Sequence, residues 1–309
     1  MSRVLALLPL VACSSAPKDM QLVDDAMTPM IDTALPPDAA GCVPTGDCDW
    51  LVAYQRHIVG ALAGHEDISP GVKLAHRASV VERNAARQFL LDELAALGIT
   101  AQRQDYATGT HTGANVIARL DATAGTGGTI VVGAHFDGVP AGPGAADNAT
   151  GVAIILATAR YLKDLPTRKH PIVFALFDQE ELGLIGAKEY VKTLTPADIH
   201  GAHIYDMLSF DGDGDHAVEL WSPSASLLAL YQAHGPAANT PISSVTFASS
   251  DHQAFLDAGI PATGVGEEFV GNDHTPNYHK ATDTYENVSF DHLARVTHLA
   301  LIVLDAELR

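Results

Sequence analysis

Cysteine, positive charge and long apolar runs are all scarce in this sequence of 309 residues. Three cysteines are too few for a disulfide scaffold. Lys and Arg number 18 against 37 Asp and Glu, a formal net charge of −19. That balance argues against nucleic acid or an anionic membrane surface as a partner, since both are bound through a basic face. No apolar run approaches the ~20 residues of a membrane-spanning helix, and no repeat recurs at a period of about 20–50 residues. What is present is ordinary for a globular protein: 47% hydrophobic and 18% charged residues, too apolar for general disorder. The length suits one large domain or two small ones. Fifteen histidines are many for this length.

The first residues read as an address. Met1-Ser2-Arg3 is a short basic start, and Val4 to Ala12 is an apolar run interrupted by Pro9. The run is too short to span a bilayer and predicts a signal peptide over 1–12. Leu10-Val11-Ala12-Cys13 resembles a bacterial lipobox, which implies cleavage before Cys13 and acylation of Cys13. The alternative is a plain secretory signal with an incidental cysteine. Both predict export, either as a cell-envelope lipoprotein at the outer membrane or in the periplasm, or as a secreted protein. Residues 13–41 carry Pro17, Pro29, Pro36 and Pro37 among small and acidic residues, without hydrophobic period; they are predicted to be a flexible tether. Cys42 and Cys48 are the remaining pair, and an oxidising compartment predicts a small local disulfide between them. A metal site there would need more sulfur or imidazole than the stretch offers.

Residues 42–309 are predicted to form a single domain. Ser79 and Glu82 fit a capping box ahead of Val81, Ala85, Phe89, Leu90, Leu94 and Leu97 at helical spacing, closed by Gly98. Strands are predicted near 101–107, 114–120, 129–134, 172–177, 202–208, 217–221, 244–247 and 261–265. Helices are predicted near 149–163, 182–193, 224–234, 251–258 and 288–307. Strands alternating with helices predict an α/β fold around a largely parallel sheet, whose ligand sites lie at the carboxyl ends of the strands.

Acids and imidazoles gather at those ends. His135-Phe136-Asp137 follows the first buried strand, Asp147-Asn148 precedes the next helix, and Asp178-Gln179-Glu180-Glu181 follows the second buried strand. Asp206 lies near the end of the third, and Tyr278-His279 with Asp283-Thr284 comes from the C-terminal part. Five segments of this kind on one rim would carry a large like-charge cost unless cations neutralised it, and mixed His and carboxylate ligands suit zinc and similar ions.

Gly133-Ala134-His135-Phe136-Asp137, Asp147-Asn148-Ala149-Thr150-Gly151, Glu180-Glu181-Leu182-Gly183-Leu184-Ile185-Gly186, Asp206-Met207 and Tyr278-His279 with Asp283-Thr284 together resemble the M28 family of co-catalytic zinc metallopeptidases. The resemblance covers about residues 50–305. It implies a zinc-exopeptidase-like three-layer sandwich, with a largely parallel mixed sheet flanked by helices, holding two zinc ions. Asp147 resembles the bridging carboxylate, His135 and Asp206 the remaining ligands of one zinc, and Glu181 and His279 those of the other. Glu180 resembles the general base, Asp137 the acid that orients His135, and Tyr278 a residue that steadies the oxyanion. Two adjacent metals can clamp a water, acidify it to a pKa of about 7 and polarise the scissile carbonyl.

Plainer readings apply elsewhere. His274 competes with His279, which is favoured because Asp283-Thr284 follows it at the family's distance. Ser249-Ser250-Asp251-His252 hints at a nucleophilic triad, but Ser250 with Gln253 reads more simply as a capping box, and the family's use of this string also allows a pocket-lining role. Asp211-Gly212-Asp213-Gly214-Asp215 reads as a turn, with a weak Ca2+ site as the alternative; Ser222 stands where an EF-hand needs a bidentate Glu. His57, His65 and His111 are read as surface or loop residues.

The family includes aminopeptidases, carboxypeptidases and glutaminyl cyclases. No Lys or Arg occurs from Thr193 to His279, the stretch expected to wall the pocket. A carboxypeptidase needs a cation for the terminal carboxylate, whereas Glu267 and Glu268 are available for a terminal ammonium. The reading is therefore an aminopeptidase acting on peptides with a free N-terminus, monomeric, with membrane contact only through a lipid on Cys13. Lys188, Lys192 and Lys280 are the cations that would weaken it. A glutaminyl cyclase working with one zinc is the alternative enzyme, and a non-catalytic binding module that has lost ligands is the alternative of another class.

Overall fold

The computed structural model describes residues 49–309. The expected signal segment 1–12, the tether 13–41 with Cys13, and the Cys42–Cys48 pair lie outside the described residues. The chain runs α1 (Asp49–Leu62), α2 (Val80–Ala96), β1 (Ala101–Thr108), β2 (His111–Leu120), β3 (Thr129–His135), α3 (Thr150–Leu162), β4 (Ile172–Phe177), α4 (Ile185–Val191) and β5 (Ile199–Tyr205). It continues through β6 (Val218–Trp221), α5 (Ala225–His234), β7 (Ile242–Val245), α6 (His252–Asp257), β8 (Ala262–Gly266) and α7 (Phe290–Leu308).

One eight-stranded sheet takes the order β1-β2-β4-β3-β5-β8-β6-β7. The four pairings β3–β4, β3–β5, β5–β8 and β6–β7 are parallel, and β1–β2, β2–β4 and β6–β8 are antiparallel. Successive strand residues face opposite ways, so the sheet feeds two cores. Ile130, Val132, Phe174 and Leu176 pack with α1, α2, α3 and α7. Val131, Val173, Ala175 and Phe177 pack with α4 and α6. The result is the expected three-layer α/β sandwich.

The strand expected at 202–208 lies at Ile199–Tyr205, and two helices also differ from expectation. Helix α1 has no counterpart in the sequence reading; it packs against α3 and α7, and Gln55 Nε2 donates to Thr297 Oγ1 at 2.6 Å. Because α1 and α7 cover it, α3 is buried on every side except at Arg160, more than the single apolar stripe predicted. The helix predicted over 182–193 begins only at Ile185: Leu184 adopts a left-handed conformation (φ 59) and residues 181–183 form a turn.

The register places the site. His135 ends β3 opposite Phe177, the end of β4. Asp206 directly follows β5, and its N–H donates to Val265 O of β8. Three parallel strands therefore finish together on one rim.

Candidate metal centre

His135, Asp147 and Asp206 bring one ligand atom each within 4.8 Å of one another, and so do Asp147, Glu181 and His279. Asp147 is shared. Its Oδ1 lies 3.2 Å from His135 Nε2 and its Oδ2 lies 3.2 Å from His279 Nε2. Asp206 Oδ1 is 3.4 Å from His135 Nε2, and Glu181 Oε2 is 3.1 Å from His279 Nε2. Ligands about 2.0–2.1 Å from a tetrahedral zinc stand roughly 3.3 Å apart, so these separations suit a metal between the side chains.

The electrostatics point the same way. Burial lifts the Glu181 carboxyl to about 8, with Asp147 adding to it. Burial also lifts Glu180 well above its usual value, and Asp251, Asp206 and Asp137 reinforce this against the pull of His135. Burial disfavours charge on His135, yet Asp206 and Glu180 hold its pKa well above the usual value. Burial opposes charge on Asp147 as well, but the two imidazoles outweigh it and hold its carboxyl low. Among the described residues, His135 Nδ1, Glu181 Oε1 and Asp206 Oδ1 are buried without a hydrogen-bond partner. A cluster with surplus carboxylate and orphaned ligand atoms fits a divalent cation.

Local structure aims these groups. Phe177 leads into Asp178, and Gln179 turns left-handed (φ 63). Asp137 accepts from the backbone N–H of Glu180 at 2.9 Å and of Glu181 at 3.2 Å, tying the glutamate turn to the end of β3. Its Oδ1 also comes within 3.4 Å of His135 Nδ1, without the alignment of a hydrogen bond. Glu180 stands outside both trios, with Oε2 4.0 Å from His135 Nε2.

The turn carrying Asp147 is held from three sides by residues to which the sequence reading gave no such role. Arg77 is fully buried and donates to the carbonyls of Phe136, Leu62, Pro143, Gly144 and Asp147 at 2.7–3.5 Å. Asp283 accepts from the N–H of Ala146 at 2.7 Å and of Asp147 at 3.1 Å. Asn148 Nδ2 donates to Tyr205 O at 2.9 Å, and its Oδ1 accepts from Met207 N at 3.3 Å. A side chain at Gly151 would meet Asn148 Oδ1 and Tyr205 O at 2.4 Å, so this junction requires glycine.

Ser250 is not a capping residue. Its hydroxyl donates to Asp206 Oδ2 at 2.7 Å, and the cap position of α6 falls on Asp251 without a side-chain cap bond. Asp251 is fully buried, and neither of its oxygens has a partner among the described residues. Asp178, expected on the rim, is drawn away into an ion pair with Arg83 at 2.8 Å and Arg87 at 2.5 Å. Glu267 is also unavailable to a ligand. It is buried and accepts from Ser209 N, Ser209 Oγ and Thr275 N; burial lifts its carboxyl to about 8. The partners of Ser250, Asp178 and Glu267 lie far along the chain, and residue spacing carries no trace of them.

The cavity over the cage is lined by the five residues of the two trios, Glu180, Met207, Trp221, Phe247, Ser249, Phe269 and Tyr278. Tyr278 stacks on His279 with ring centroids 3.8 Å apart. His274 stacks instead on Phe269 at 4.2 Å and belongs to neither trio. Among the described residues no Lys or Arg lines the cavity: Lys188, Lys192 and Lys280 bond to Gly183 O, Glu189 and Pro276 O. A wider hollow of about 390 Å³ between α4 and α6 holds none of the cage residues.

In the acidic turn, Asp211, Asp213 and Asp215 come together, as do Asp213, Glu268 and Asp273. Asp211 is engaged by His216 Nδ1 at 2.6 Å and by Gly214 N at 2.9 Å, and Asp273 by Gly212 N at 2.8 Å. His57 pairs with Glu66 and His65 with Glu286 near the surface, while His111 is half-buried at the start of β2.

A model of peptidase family M28 matches residues 115–304, more than half of the chain. A probable lipoprotein aminopeptidase, LpqL, of Mycobacterium tuberculosis is 32% identical over 207 residues, covering 56% of this chain and 41% of its own length. The chain spans about two fifths of the length of the curated relatives it matches. The solved structure of BSAP, a zinc aminopeptidase from Bacillus subtilis, superposes with a TM-score of 0.60 at 25% identity, covering 66% of this chain and 52% of that one. Porphyromonas gingivalis glutaminyl cyclase shares the fold, with a TM-score of 0.68 at 19% identity over 83% of this chain and 98% of its own.

Proposed function

This chain belongs to peptidase family M28, and on that premise we propose that it is an exported zinc aminopeptidase that removes residues from the free N-terminus of peptides. The observation that carries the proposal is the pair of trios sharing Asp147, beside a glutamate that belongs to neither. His135, Asp147 and Asp206 would hold one zinc, and Asp147, Glu181 and His279 the other. Zinc bound there lowers the pKa of a coordinated water and withdraws charge from a carbonyl oxygen.

The protein's own groups do the rest. Glu180 accepts a proton on its carboxylate from the attacking water and returns it to the nitrogen of the leaving amine, as general base and then general acid. Tyr278, at the open side of the cavity, donates its phenol hydrogen to the substrate oxygen as negative charge builds there. Asp137 keeps the Glu180–Glu181 turn in place. A cavity without Lys or Arg offers a terminal carboxylate no partner, and its acids favour an ammonium.

Export rests on the 1–12 signal and the Cys13 lipobox, and a relative described as a lipoprotein supports it. We take residues 42–309 as one catalytic domain.

Zinc analysis of dialysed protein is expected to return two ions per chain. Unblocked aminoacyl anilides should be cleaved and their N-acetylated forms left intact. Equal cleavage of both would remove the aminopeptidase assignment.

A further inference from the structure

The base of the proposed reaction has no tether of its own. Among the described residues the Glu180 carboxylate receives no hydrogen bond, and its Oε2 stops 4.0 Å from His135 Nε2. Its neighbour Glu181 belongs to a trio and would be fixed by zinc. The aim of Glu180 therefore depends on the backbone that carries it. Gln179, directly before it, is left-handed (φ 63) without being glycine. Such a residue keeps that conformation only where its surroundings insist on it.

The insistence comes from β1 and β2, strands that supply none of the trio residues. Gln104 and Tyr106 lie on one face of β1, opposite Asn115 and Gly113 of β2, and β2 in turn pairs with β4. A side chain at Gly113 would collide with Tyr106 Oη, so the bare glycine lets the phenol cross β2 to the turn that follows β4. There its hydroxyl donates to Asp178 O at 2.9 Å and, in a shared bond, to Gln179 Oε1 at 3.0 Å. Asn115 grips the same turn: its Oδ1 accepts from Asp178 N at 3.0 Å, and its Nδ2 donates to Gly186 O at 2.9 Å. Burial, reinforced by Asp178 and Asp137, raises the Tyr106 pKa, which keeps its hydroxyl a donor in neutral solution.

Resting on the reading of Glu180 as the general base, we propose that Tyr106 is a positioning residue for that base. Its hydroxyl locks Gln179 in the left-handed turn that directs the Glu180 carboxylate at the water and the leaving nitrogen.

The test compares Tyr106→Phe, which loses one oxygen and keeps the ring, with the unaltered zinc-loaded chain. Crystal structures of the two should show the Glu180 carboxylate displaced by ~1 Å in the variant, with Glu181 unmoved. For an unblocked leucine p-nitroanilide, kcat should fall ~10–100-fold with KM and zinc content unchanged. For the dipeptide Leu-Gly it should fall further. An alkylamine leaves only with the proton that Glu180 returns, whereas p-nitroaniline depends on it less; a loss of folded protein would lower both alike. Gln179→Asn, which tolerates a positive φ, should keep more turnover than Gln179→Val, which resists it. Superposable Glu180 carboxylates, an unchanged kcat in Tyr106→Phe or an equal loss on both substrates would overturn the proposal, as would equal turnover in the two Gln179 variants. If the unaltered chain cleaves neither substrate, the aminopeptidase reading falls, and the pair of crystal structures still decides whether Tyr106 holds the turn.

Discussion

Glu180 and Glu181 adjoin in sequence but sit in different surroundings. Glu181 reaches His279 at 3.1 Å within one trio, and Glu180 stops 4.0 Å from His135 outside both. Glu180→Gln is therefore expected to lower kcat by ~10²–10⁴-fold with zinc content unchanged by metal analysis; retained turnover would refute its role as base. Arg77 works through backbone instead. A buried guanidinium bonded only to carbonyls keeps its charge and fixes the course of the turn. Arg77→Ala is expected to weaken zinc binding by ~10–100-fold in chelator competition, with partial recovery in Arg77→Lys, which keeps the charge and loses the fork. Unchanged affinity in a folded variant would leave Arg77 a purely structural part.

Among the elements, α2 is joined to the end of β4 by the Arg83–Asp178–Arg87 cluster, in which all three side chains are buried. Removing one partner strands the others' charge, so Asp178→Ala should cost about 3–5 kcal/mol of stability, seen as a lowered unfolding midpoint in calorimetry. The strands β3 and β4 were legible because they are apolar runs of residues that favour a buried sheet; β5, interrupted by His200 and His203, was expected three residues too late. Helix α1 was not: Asp49-Trp50-Leu51 follows a proline-rich tether without a clear start signal, and its burial comes from partners, α3 and α7, that lie far along the chain. The start of α4 was misplaced for a local reason, since Gly183 and the left-handed Leu184 hold the chain in a turn that the apolar pattern does not register.

At the scale of the molecule, acid should weaken one long-range tie, between β5 and the C-terminal helix. The Glu307 side chain on α7 is largely covered; burial alone would raise its pKa, but His203 at 2.9 Å and His200 at 3.3 Å outweigh that and hold it below the usual value. A depressed carboxylate contributes stability that is present above the unfolded pKa of about 4.3 and is lost as pH falls through the folded value. Glu307→Gln should accordingly flatten the fall in unfolding free energy below about pH 4.5, measured by urea titration at several pH values; an unaltered slope would acquit this pair. The five cage residues could be named from sequence because each sits in a block of distinctive neighbours. Arg77, Asn148, Ser250 and Asp283 escaped such a role because their partners are mostly backbone groups or lie tens of residues away.

The turn over 144–148 joins the end of β5 through Asn148 and the segment behind His279 through Asp283, so Asp147, Asp206 and His279 answer to one short stretch of backbone. That stretch is the keystone of an arch. Insertions in an outlying loop such as 210–216 should leave the cage standing, whereas a single residue added between Gly144 and Asn148 should shift Asp147, Asp206 and His279 together.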